Sequence, residues 1–205
     1  MSNSMKETAL EAYQKAIIEN FTFAKKAKTI QEAYLRAIPI EGDGYLLPVC
    51  EVHALDEELL NKLAEWRNTN VEVYPTQFKA TLDSTRAWIK DRLLAVPDRM
   101  LYLVVNNTGK VIGHIGFNGR LNDNYLLEID NVVRGVNDVD KGLFSKAILS
   151  LIEWARKVIN VDGFFLRVME DNTKAIDFYK RNSFVEEARI PLVREIKGDT
   201  VTYRE

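Results

Sequence analysis

Over residues 6–36, Leu10, Tyr13, Ile17, Phe21 and Ala24 recur at steps of three and four among Ala, Glu, Lys and Gln, a spacing that predicts one amphipathic helix or two. Gly42-Asp43-Gly44 ends that pattern, and residues 45–53 read as a strand in which Pro48, lacking an N–H, favours an edge position. Asp56 suits the N-cap of a helix through Trp66, and Thr81 or Asp83 that of a second helix carrying Trp88, Ile89 and Leu93. Residues 100–105 and 110–117 are short apolar runs joined by Asn106-Asn107-Thr108-Gly109, which predicts an antiparallel hairpin, and residues 126–133 supply a third strand. Residues 142–158 place Leu143, Ala147, Leu151, Trp154 and Val158 on one helical stripe; Asp162-Gly163 then leads into a strand over 164–169. A helix over 172–181 and two strands, 184–193 and 200–204, about the turn Lys197-Gly198-Asp199 complete the pattern.

A strand–helix–strand crossover beside a hairpin describes a mixed α/β domain over residues 42–205, preceded by a helical extension over 1–41. Its 205 residues, 46% of them apolar, are enough for one real core. The extension's apolar stripe must be covered by its own domain or by a second subunit, which leaves a homodimer open as an assembly. With 28 basic against 30 acidic residues there is no broad positive field, so nucleic acid and anionic membrane are not expected partners. No apolar run reaches the length of a membrane-spanning helix, and no secretory leader pattern opens the chain. One cysteine, Cys50, requires no oxidising compartment, so the cytoplasm is the expected location; with only His53 and His114 beside it, no metal site is expected.

Three groups of residues carry candidate chemistry. A strand feeding Asp138-Val139-Asp140-Lys141-Gly142-Leu143-Phe144 into an apolar helix can hold a phosphate on unpaired helix amides, with Gly142 permitting close approach and Lys141 or Lys146 adding charge. The same residues equally suit a strand-to-helix turn with no ligand. Glu128 and Asp130, two apart on one strand, face the same side and can offer a general base, or can simply pair with Arg134 or Arg120 on a solvated face. His114 on the neighbouring strand is a further base candidate. Arg67, ending its helix, can complement the helix dipole or bind an anion.

Segments 131–146 and 172–184 together resemble the two acyl-CoA-binding motifs of the GNAT family of N-acetyltransferases. Asn172, Ala175, Phe178, Tyr179 and Phe184 stand where the family's Asn, Ala, Phe/Leu, Tyr and Phe recur, with Ser183 in place of the usual Gly. The family's phosphate loop reads Gln/Arg, two residues, Gly, one residue, Gly/Ala; here Val139, Gly142 and Phe144 hold those positions and only Gly142 conforms. Residues 128–135, Gly142-Leu143-Phe144 and Ile152-Glu153-Trp154-Ala155 resemble a branch that includes enzymes acetylating amino groups on nucleotide-linked sugars.

The resemblance implies a mostly antiparallel central sheet of six to seven strands flanked by helices, with acetyl-CoA as co-substrate. Val132, Val133 and Arg134 would hold it on a strand splayed by a β-bulge, together with Val139, Asp140, Lys141, Gly142, Leu143, Phe144, Asn172 and Phe178. Tyr179 would protonate the departing thiolate, Glu128 or Asp130 would act as base, and Arg67 and His114 would lie on the acceptor side, Arg67 meeting an anion such as a nucleotide phosphate. The expected activity is acetyl transfer to the primary amine of a small molecule, with a nucleotide-linked amino sugar as first expectation. A protein or ribosomal-protein N-terminal acetyltransferase is the second. A non-catalytic acyl-CoA-binding module, suggested by the altered loop at Val139 and Phe144, is the third.

Overall fold

The computed structural model describes residues 3–121, 126–136 and 141–205. Two helices open the chain, α1 (Asn3–Lys25) and α2 (Ile30–Tyr34), followed by the hairpin β1 (Ile38–Ile40) and β2 (Gly44–Pro48). Helix α3 (Glu57–Thr69), the short strand β3 (Thr76–Gln77) and helix α4 (Leu82–Ala87) come next, α4 widening into a π-helical segment over Trp88–Leu94. Then follow β4 (Arg99–Asn106), β5 (Val111–Leu121), β6 (Leu127–Arg134), α5 (Leu143–Val158), β7 (Phe164–Phe165), α6 (Thr173–Arg181), β8 (Val193–Lys197) and β9 (Thr200–Arg204). One sheet has the order β1-β2-β4-β5-β6-β7, antiparallel except for the β6–β7 pair; β3, β9 and β8 form a second, smaller sheet.

The central sheet is buried on both faces. On β4, Met100, Tyr102 and Val104 face the layer formed by α1 and α5, while Leu101, Leu103 and Val105 face α3 and the π segment, which is why that strand reads as one unbroken apolar run. Ile17, Phe21 and Ala24 of α1 enter the first layer, with Phe21 stacked on Phe117 of β5 at 5.8 Å between centroids, so the N-terminal stripe is covered by its own domain. Lys25, at the end of α1, is buried, and its ammonium donates to Leu93 O, Val96 O and Arg99 O at 3.2, 2.6 and 3.0 Å, tying the helix to the end of the π segment.

Local signals hold where side chains cap the helices. Asp56 accepts from Leu59 N at 3.0 Å, and the Thr81 hydroxyl accepts from Ser84 N at 3.2 Å. Other expectations shift. Strand β1, with only three residues and a central Pro39, escapes the period-2 pattern yet pairs with β2. The strand expected over 45–53 stops at Pro48, because the Cys50 and His53 backbones close a turn in which His53 N donates to Cys50 O at 3.0 Å. Although β2 lies inside the sheet, β1 pairs with it only as far as Leu46; Val49 N donates to Leu101 O, so strand alternation turns the Pro48 nitrogen to the uncovered side. The strand expected over 164–169 keeps two residues, and the one expected over 184–193 lies at Val193–Lys197, beyond Pro191, which can give no ladder N–H.

Candidate functional site

Strands β6 and β7 run parallel but pair only through Leu127 with Phe164 and Glu128 with Phe165. Beyond Glu128, β6 continues for six residues with no strand on that side among the described residues, so a cleft opens between the two. On the other side of β6, Val133 lies opposite His114 and Asp130 opposite Gly116, so that Asn131 and Val132 together face Ile115. This is a β-bulge at the cleft, and Asn131 takes the left-handed conformation it requires, with φ 53°. The Asp130 carboxylate holds the bulge by accepting from Asn131 N and Asn131 Nδ2, both at 2.7 Å.

Helix α5 begins at the mouth of the cleft, and it begins bare. Gly142 is its N-cap with φ 88° and no side-chain cap; a Cβ there would have no atom within 4 Å. Lys146 N donates to Gly142 O at 3.1 Å, and among the described residues no carbonyl takes the amides of Leu143, Phe144 and Ser145, which lie at the positive end of the dipole. Leu143 and Phe144 bury their side chains and present only backbone to that opening. Lys141 is exposed, whereas Lys146 is paired with Asp43. Val139 and Asp140, expected in this loop, lie outside the described residues.

From the far side, α6 brings its aromatic face. Asn172 spends its side chain as the helix cap, accepting from Ala175 N at 3.2 Å, and Phe178, Tyr179 and Phe184 form an edge-to-face series against the core. The Tyr179 phenol is pushed well above its ordinary pKa, first by burial and second by the negative charge of Asp130, so it keeps its proton at any physiological pH. Asp130, a residue expected as base, is thus near enough for its charge to act on Tyr179, the residue expected as acid. Glu128 is placed differently: 4% exposed, it pairs with Arg167 Nε at 2.9 Å and accepts from Asn118 Nδ2 at 2.9 Å. Arg134 is exposed, its Nε donating to Val136 O at 3.2 Å; Val133 is buried and Val132 half-buried.

His114, buried next to Trp66, meets Asn131 O through Nδ1 at 2.7 Å. A carbonyl only accepts, so Nδ1 carries the proton and Nε2 keeps a lone pair. Burial pulls its pKa down to about 4, and the ring is neutral near pH 7. On the acceptor wall Arg67 lies over Tyr74 and Phe78, its guanidinium carbon 4.2 and 4.4 Å from their ring centroids. Sequence reasoning did not single out Tyr74, Asn131 or Arg167 for a role; Tyr74 sits in a loop with no periodicity, and only the residue type of Asn131 hinted at a left-handed position.

The arrangement fits an acyl-CoA. It offers helix amides that no described carbonyl takes, beside an unobstructed glycine, for the pyrophosphate, a splayed strand edge for the pantetheine, and a protonated phenol within reach of a carboxylate's charge. Comparison with known proteins agrees. The acetyltransferase (GNAT) domain family matches residues 51–185. No curated protein sequence matches the chain. Among solved structures it is similar to a probable acetyltransferase of the GNAT family from Chromobacterium violaceum, with TM-score 0.60, 18% identity, and 82% of this chain and 84% of that one covered. It is also similar to the ribosomal L7/L12 alpha-N-protein acetyltransferase RimL in complex with coenzyme A (0.58, 18%, 82% and 96%) and to FdhC, a nucleotide-linked sugar GNAT (0.54, 13%, 82% and 85%). At these identities the likeness is one of fold.

Proposed function

The chain belongs to the GNAT acetyltransferase family, is an N-acetyltransferase with acetyl-CoA as co-substrate, and from that premise we propose that its acceptor is the primary amine of a small molecule, a nucleotide-linked amino sugar. Bound acetyl-CoA supplies an activated acetyl thioester, which the amine attacks directly as the thiolate leaves. The observation that carries the catalytic reading is the bulge at Asn131 and Val132, held by Asp130, with the buried Tyr179 phenol close enough to feel the Asp130 charge.

Each group then has one task. Gly142 and the first-turn amides of α5 bind the pyrophosphate, and backbone at Val132, Val133 and Arg134 orients the pantetheine along the splayed edge. Asp130 takes the proton from the incoming ammonium; each of its oxygens accepts one bond from Asn131 and keeps a further lone pair. Asp130 is taken as base over Glu128 because Glu128 is 4% exposed and its charge is already balanced by Arg167. Tyr179 returns a proton to the departing sulfur. His114, neutral at Nε2, lines the acceptor side and accepts a hydrogen bond. The choice of a sugar acceptor is supported by the branch resemblance of residues 128–135, 142–144 and 152–155.

Tyr179→Phe tests the acid. Turnover should fall by roughly 10²–10⁴-fold with unchanged affinity for CoA, the range removal of a positioned proton donor produces. Unchanged turnover would remove Tyr179 from the mechanism. A screen of amino-sugar nucleotides against N-terminal peptides and polyamines tests the acceptor; acetylation of peptides alone would replace the sugar by a protein N-terminus.

A further inference from the structure

Arg67 is a half-buried cation whose charge no carboxylate among the described residues balances. Its flat faces are both covered, by Tyr74 and Phe78, and its Nη2 donates to Thr76 O at 2.8 Å. Its Nε is buried without a partner, and no carboxylate lies within ion-pair distance of it among the described residues. Burial lowers its pKa, so the charge is carried against a desolvation cost. An arginine that only braced a loop would gain by pairing with a carboxylate, and Asp130 is near enough to act on the same Tyr74 phenol that Arg67 acts on. That carboxylate is engaged with Asn131 instead.

We infer that the Arg67 clamp between Tyr74 and Phe78 is an anion subsite for the acceptor, so that the molecule acetylated carries a phosphate or carboxylate as well as its amine. This rests on the acetyltransferase reading of the cleft and adds a requirement to it. With both faces stacked, Nε buried and Nη2 on Thr76 O, the outer N–H groups are what remain to reach a ligand, and they suit an oxygen of a phosphate or carboxylate. The stacking also removes rotamer freedom in advance, which favours binding. Arg67 stacks on Tyr74, whose phenol also feels the Asp130 charge, so anion anchor and amine-deprotonating carboxylate lie on either side of one tyrosine. An acceptor with opposite charges at its two ends would span them. A polyamine has no group for Arg67 and would be repelled by it.

The test uses the full chain saturated with CoA, which fills the pyrophosphate site, and titrates inorganic phosphate in one arm and succinate in the other, following Trp fluorescence and thermal stability. The wild type should bind at least one of the two saturably, with the same anion competing against the acceptor in steady-state assays. Arg67→Met should weaken that binding tenfold or more, and Arg67→Lys, which keeps charge but loses the fork, by an intermediate factor, while the stabilisation by CoA stays the same in all three. The arm that responds names the anion. Anion affinity unchanged in Arg67→Met, or no anion binding by a wild type that responds normally to CoA, overturns the inference alone. No response of the wild type to CoA overturns the cofactor reading and this inference with it. If the methionine variant does not fold, the lysine variant decides by the same criteria.

Discussion

Replacing Gly142 by alanine separates two roles that one glycine can have. The residue has φ 88°, a conformation that costs a residue with a Cβ roughly 1–2 kcal/mol, and alanine is also a poorer N-cap than glycine by a fraction of that. Gly109, in the β4–β5 turn, is the control: its φ is 81° and an added Cβ there likewise meets nothing within 4 Å. Both variants should lose comparable stability, about 2–8 °C in Tm for a chain of this size. Only Gly142→Ala places its methyl in the opening before the free amides of α5, where loss of one hydrogen bond to a charged group costs about 1.5–3 kcal/mol. Since each 1.4 kcal/mol is about tenfold, the Kd for CoA should rise roughly 10- to 100-fold by calorimetry, with Gly109→Ala unchanged. Should Gly142→Ala bind CoA as the wild type does while losing the stability that Gly109→Ala loses, the glycine serves only its turn and the phosphate assignment at α5 is wrong.

Ser183 occupies a left-handed position, φ 67°, after α6, where Phe184 N returns to Tyr179 O at 3.1 Å; Ser183→Gly should therefore stabilise the protein by about 0.5–1 kcal/mol in urea unfolding, and a loss of stability would contradict the strain. His114 has a folded pKa of about 4, below its unfolded value of about 6.5, so the unfolded chain takes up a proton that the folded one refuses. The histidine's contribution to stability is lost as pH falls from 6.5 to 4, and His114→Gln should flatten that part of the pH–stability curve; equal slopes would remove it as the cause. A Cβ on Gly113 would lie 2.2 Å from Val133 O and 2.4 Å from the Phe144 ring, so Gly113→Ala should destabilise by roughly 1–3 kcal/mol and Phe144→Leu should recover only the ring's share of that loss, whereas simple additivity in a double-mutant cycle would refute the ring contact.

What the sequence made legible follows the range of the interactions. The α5 stripe, the Asp56 and Thr81 caps and the β4–β5 hairpin depend on residues a few positions apart, and each lies close to where its pattern placed it. The donor side of the site shares that advantage, being one helix start, one glycine and one strand edge. Register and partner choice do not. The pair that ties up Glu128 joins residues 39 apart, and β9 pairs with β3 across more than a hundred residues, with no local mark of either. Tyr74 reaches the acceptor wall through a short 3₁₀ turn and a two-residue strand, elements too small to leave a period in the sequence.

The bulky Phe144 at a position where the family carries a small residue raises the question of whether this loop can still hold a phosphate. Its side chain resolves the conflict by pointing inward. Phe144 is 8% exposed, lies against Gly113 of β5, and can do so only because that strand position has no Cβ. Two departures from an ordinary sequence thus compensate each other inside the core, and neither intrudes on the space before Gly142. The polar side chain that Val139 lacks is no obstacle on the same ground, since helix amides bind phosphate through the backbone and not through the residue types of the loop. What the altered loop changes is therefore the packing beneath the phosphate site. The chemistry we propose rests on a different pair of residues, Asp130 and Tyr179, neither of which belongs to that loop.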